Sequence, residues 1–96
     1  MAKTPEGAVK DRIKKILKEF EVYNFSPIGG MYSKIGVPDI ICCHKGKFIG
    51  IECKAGNNKP TALQERELKL IQEAGGYSLV INEKNIDDVR KLLESL

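Results

Sequence analysis

GVPDIICCHKGKFIGIECK, residues 36–54, is the stretch that decides how this chain is read. Residues 38–43 and 47–54 are two apolar runs of strand character, and Lys45-Gly46 between them reads as a tight hairpin turn. With those two as the loop, paired positions add up to 91, and Asp39 stands opposite Glu52. Directly opposed residues share a face of the sheet, with Cβ atoms roughly 5 Å apart. Lys54 is two residues beyond Glu52 and shares that face as well. The spacing therefore predicts two carboxylates and one ammonium converging on one hairpin, and a slip of one residue would separate them.

Opposed like charges in a sheet are unfavourable. Asp39 and Glu52 also interrupt runs that are otherwise apolar, where an acid needs a reason. A divalent cation supplies one. Two carboxylates, a backbone carbonyl and waters make the hard-oxygen set that Mg²⁺ or Mn²⁺ takes, and the Cys53 carbonyl lies between Glu52 and Lys54 to serve as the third protein ligand. The Cys53 side chain points to the other face. Lys54 would stand beside the metal and orient or deprotonate a water, while the metal polarises a phosphate. The implied reaction is hydrolysis of a phosphodiester. The plainer reading of the trio is a surface ion pair on an exposed sheet face.

Outward from the hairpin the chain reads as helix, three strands, helix, strand, helix. Thr4-Pro5-Glu6 is a helix start, and Val9, Ile13, Ile16, Leu17 and Phe20 follow at helical spacing. Lys10, Arg12, Lys14, Lys15 and Lys18 occupy the opposite face, whereas the spacing of Glu6 to Val9 and Ile13 turns it to the buried side. Residues 21–28 are expected to form a strand ended by Pro27, and residues 29–36 a glycine-rich loop. Thr61 to Gln64 matches a capping box, and Leu63, Leu70, Ile71 and Ala74 make the apolar stripe of a helix that Gly75-Gly76 ends. Tyr77 to Ile81 is a short strand. Ile86, Val89, Leu92, Leu93 and Leu96 mark a last helix. Helices flanking a mixed sheet give a single α/β domain over residues 1–96.

The 96 residues carry a net charge of +3, distributed unevenly. Residues 1–60 hold eleven Lys/Arg against six Asp/Glu, and residues 61–96 hold five against seven. The basic excess accompanies the hairpin, which suits a polyanion such as nucleic acid and equally an ordinary solvated surface. No apolar run approaches a membrane span and no secretory leader is evident; three cysteines, Cys42, Cys43 and Cys53, form no disulfide framework. A cytoplasmic location is expected. Cys42 and Cys43 face opposite ways on one strand, and no C-x-x-C spacing is present, so these residues with His44 do not make a zinc site. The loop offers Tyr32, Ser33 and Lys34 to a phosphate backbone, and Lys10 and Lys14 offer charge from the helix; the alternative readings are a plain connector and a solvated helix face. No nucleotide-binding glycine pattern occurs, so no nucleotide cofactor is expected.

Pro38-Asp39, then Glu52-Cys53-Lys54, resembles the PD-(D/E)xK nuclease signature. The wider pattern of residues 36–40, 50–54, 61–64 and Gly75-Gly76 resembles the virus-type replication-repair nuclease (VRR-NUC) family over nearly the whole chain. The resemblance implies a restriction-endonuclease-like core of order α-β-β-β-α-β-α. It implies Asp39 and Glu52 as metal ligands, Glu6 as the helix acid that completes the set, and Lys54 as catalytic with Gln64 beside it. Taken alone, Gln64 is equally explained by helix capping and Glu6 by the helix dipole. Cys53 stands where a β-branched residue is more usual. The expected function is metal-dependent DNA cleavage leaving 5′-phosphate and 3′-hydroxyl ends, on branched DNA such as Holliday junctions, by a homodimer with a role in DNA repair. The rival is a non-catalytic nucleic-acid-binding module on the same fold.

Overall fold

The computed structural model describes residues 3–29 and 34–96. Seven elements follow in the expected order: α1 (Pro5–Glu19), β1 (Tyr23–Phe25), β2 (Ile40–His44), β3 (Lys47–Cys53), α2 (Ala62–Glu73), β4 (Tyr77–Ile81) and α3 (Asp87–Ser95). The strands form one mixed sheet in the order β1-β2-β3-β4, antiparallel except for the parallel β3–β4 pair.

The hairpin turn fixes the register. Lys45 (φ 52°) and Gly46 (φ 78°) both take the left-handed conformation that a two-residue primed turn needs. Ile40 then pairs with Ile51, Cys42 with Ile49 and His44 with Lys47, so the positions add up as the sequence predicts. One face of the sheet carries Ile40, Cys42, Ile49, Ile51 and Cys53 into a core with Val9, Ile13, Ile16 and Leu17 of α1 and Val89 and Leu93 of α3. The Cys42 and Cys53 thiols are buried there, and burial pushes them up to about 11 and about 12. They are packing groups. Cys43 is exposed on the opposite face.

Helix α1 starts as expected: the Thr4 hydroxyl accepts from the Gly7 N–H at 3.0 Å, and Pro5 takes the first turn. Its other end departs from expectation. Glu21 adopts φ 55° after the helix, so β1 begins at Tyr23 and ends at Phe25, shorter than the 21–28 strand expected. Helix α2 departs too. The expected stripe placed Leu63 and Leu70 inward, but they are 47% and 41% exposed, while Glu67 and Leu68 are buried. The cause lies in two glycines. A Cβ at Gly50 would meet Ile71 Cδ1 at 2.7 Å, and one at Gly76 would meet Ile71 Cγ2 at 2.9 Å. Ile71 drops into the gap they leave, and Glu67, four residues before it on the same helix line, turns inward with it. Among the described residues no helix is long and apolar enough to cross a membrane.

Candidate active site

Asp39 lies one step before β2, opposite the end of β3, and its side chain completes the ladder where the backbone leaves it. Its Oδ2 accepts from the Cys53 N–H at 2.8 Å. A strand residue directs its N–H and C=O to the same edge, so the Cys53 carbonyl opens on the Asp39 side. Glu52 is only 1% exposed, and Lys54 9%. Their side chains share a face, with Lys54 Nζ 3.7 Å from Glu52 Oε2. The predicted trio is therefore assembled, and by the mechanism predicted, since an unslipped register brings it together.

The electrostatics are those of a crowded acid. The Glu52 carboxyl is pushed from 4.5 up to about 8, by burial first and then by Asp39 beside it, with the charge of Glu6 adding and Lys54 opposing. Glu52 Oε1 is buried with no hydrogen-bond partner among the described residues. An acceptor left bare in the interior costs of order 1–3 kcal/mol, more when charged. A divalent cation fits this arrangement: hard oxygens from Asp39, Glu52 and the Cys53 carbonyl, one of them otherwise unanswered. Glu6 sits in the first turn of α1 within electrostatic reach of Glu52. Among the described residues no three His, Cys, Asp or Glu side chains cluster as a ready cage, so the site is a carboxylate pair with Glu6 outlying.

In front of Asp39 lies an open cleft of about 320 Å³, lined by Lys10, Lys34, Gly36, Val37, Pro38, Asp39 and Gln64 among others. It joins the N-terminal halves of α1 and α2 at one end of the sheet. Gln64 does cap its helix, accepting from the Thr61 N–H at 2.9 Å through Oε1. That bond uses the oxygen and leaves the amide NH₂ for the cleft, so capping and a site role coexist. Of the two helix lysines expected to meet nucleic acid, Lys10 lines the cleft, while Lys14 Nζ donates to Asn24 Oδ1 at 2.8 Å, on β1. Lys34 lines the cleft; Tyr32 and Ser33 lie outside the described residues. Sequence reading missed Glu67, whose carboxylate meets Lys34 Nζ at 3.1 Å. The signal was an acid four residues before Ile71, on the apolar line of α2.

Sheet order and helix placement define a small α/β fold, with the acid pair of Asp39 and Glu52 at one end of the sheet. A solved structure described as a VRR_NUC domain shares it, with a TM-score of 0.74 and 24% identity, over 96% of this chain and 97% of that one. At that identity the likeness carries the fold. No family model matches the sequence, and no curated protein matches it.

Proposed function

We propose that this protein is a Mg²⁺- or Mn²⁺-dependent DNA endonuclease, acting on branched DNA as a homodimer. The observation that carries the reading is the abutting Asp39–Glu52 pair, with a buried unanswered oxygen on Glu52 and the Lys54 ammonium 3.7 Å away. A purely structural pair of this kind would be expensive, because each carboxylate disfavours the charge of the other.

Asp39, Glu52 and the Cys53 carbonyl would hold the cation, with Glu6 contributing charge from α1. When bound, the cation would supply Lewis-acid stabilisation of the phosphate and would make a nearby water more acidic. Lys54 holds that water by its ammonium and orients it. Gln64 offers its NH₂ to the water or to a phosphate oxygen, and Lys10 and Lys34 receive flanking phosphates at the cleft rim. Attack by the water oxygen on phosphorus forms one P–O bond and breaks the bond to the 3′-oxygen. The proton of the attacking water passes to solvent and the leaving oxygen takes one from solvent, giving 3′-hydroxyl and 5′-phosphate ends. The dimer belongs to the same proposal; exposed Tyr23, Phe25 and Phe48 on the sheet face beside α2 give it apolar surface to bury.

The test is cleavage of four-way, flap and linear DNA by the purified protein with Mg²⁺, Mn²⁺ or EDTA. Cuts that require the cation, favour a branched substrate and disappear in Asp39→Ala are expected. Cation-independent cutting, or Asp39→Ala cutting like the wild type, would refute the reading.

A further inference from the structure

We infer that Glu67 is a positioning residue: its buried carboxylate holds the Lys34 ammonium at the mouth of the cleft, where it receives a DNA phosphate. The inference rests on the nuclease reading and names a residue that reading does not use.

Glu67 is 7% exposed, on the sheet-facing line of α2 between apolar neighbours that include Phe48 and Ile71. A buried carboxylate there is costly unless it is paired. Its partner is Lys34 Nζ at 3.1 Å. The two ends of the pair differ in setting: the Glu67 side chain is 10% exposed and that of Lys34 63%. The acid is thus a fixed anchor, and the cation faces outward. An ammonium has three donors, and one bond to Glu67 leaves two for a phosphate. Lys34 lines the apolar groove over Phe48 and Glu67 and also the polar cleft of Asp39 and Gln64, so it stands where the two meet.

A second contact holds the same segment to α2. Gly36 has φ +86°, and a Cβ there would meet the Leu63 carbonyl oxygen at 2.7 Å. Residues 34 to 36 are therefore docked on α2 at two points, one ionic and one by backbone approach. Two residues further on, Pro38-Asp39 enter the site. Fixing Lys34 in advance removes the entropy that a free lysine would lose on binding phosphate.

Charge alone and positioning predict opposite signs. Glu67→Gln removes a negative charge near the cleft, so simple electrostatics would strengthen DNA binding. Positioning predicts weaker binding. The experiment measures the affinity of wild type, Glu67→Gln, Lys34→Ala and the double variant for a fluorescent four-way junction in EDTA, across a salt series. Expected is a loss of about tenfold in Glu67→Gln, the size of one charge-assisted hydrogen bond. Lys34→Ala should lose at least as much and should flatten the salt dependence by about one phosphate contact. The double variant should match Lys34→Ala, because Glu67 acts only through Lys34. Unchanged or tighter binding by Glu67→Gln, or additive losses in the double variant, would overturn the inference alone. Failure of the wild type to bind DNA would overturn the nuclease reading and this inference with it. Should Glu67→Gln not fold, Glu67→Asp keeps the charge and shortens the reach; it is expected to bind more weakly, and wild-type affinity would overturn the inference.

Discussion

Glu52 is where the physical chemistry of the site is most exposed to measurement. Its carboxyl titrates near 4.5 in the unfolded chain and near 8 in the folded, metal-free one. Between those values the unfolded chain has released a proton that the folded chain still holds. Stability of the metal-free protein therefore falls as pH rises through that window, by at most about 1.4 kcal/mol per pH unit, and levels off above it. Urea unfolding in EDTA at a series of pH values should show this slope, and Glu52→Gln should remove it and be the more stable protein at pH 7. A wild type whose stability rises through the window, or a Gln variant of unchanged slope, would contradict the burial argument. Lys54 makes the complementary case. Lys54→Ala should lower the cleavage rate by about 10²- to 10³-fold, the range of one lost preorganised hydrogen-bond donor, while DNA affinity stays within a fewfold of wild type. Equal losses in affinity and rate would mark Lys54 as a phosphate contact instead.

Among the elements, the hairpin and α2 divide the work of building the site, and they differ in how legible they are. The hairpin is local. Its register follows from a two-residue turn and the alternation of side chains, so the sequence alone yields Asp39 opposite Glu52, and the strand pairing agrees. The packing of α2 is not local. Gly50 on β3 and Gly76 beyond the helix end leave the gap that Ile71 fills, and no periodicity within the helix reveals that. For the same reason Leu63 and Leu70 read as core but lie at the rim, while Glu67, which the stripe passes over, is buried. Adding a methyl at Gly50 tests this contact: Gly50→Ala should cost about 1–3 kcal/mol as overpacking against Ile71 and Pro38. An unchanged melting temperature would mean that α2 does not seat as described. The dual duty of Gln64 is separable at this scale too. Gln64→Glu keeps an acceptor for the Thr61 N–H, so stability should hold within about 0.5 kcal/mol, while the lost NH₂ donor should slow cleavage. A stable and fully active Glu variant would leave Gln64 a cap and nothing more.

Taken whole, the molecule places its acids at one end of the sheet and lines the adjoining cleft with Lys10 and Lys34. The charge bias of residues 1–60 hinted at this without naming those positions, because charge counts do not say which lysines a fold aims at a site. Lys14, equivalent to Lys10 in the sequence pattern, is committed to Asn24. Element order was readable throughout, from the caps of α1 and α2, the turns, and the apolar period of each element; the cleft was not, because it forms where α1, α2 and the segment before β2 meet. DNA affinity should fall steeply with salt, with a slope near 0.9 for each phosphate neutralised. Sedimentation in the same buffers should show a mass of two chains if the exposed aromatics of the sheet face are covered by a partner copy, and one chain if they are not. The claim under all of this is that Asp39 and Glu52 together bind a divalent ion. Calorimetric titration of the DNA-free protein with Mn²⁺ at pH 8.5 tests it most directly: one site per chain is expected in the wild type, weakened at least about tenfold in Glu52→Gln and in Asp39→Ala. Wild type and both variants binding Mn²⁺ alike, or the wild type not binding it at all, would contradict the account.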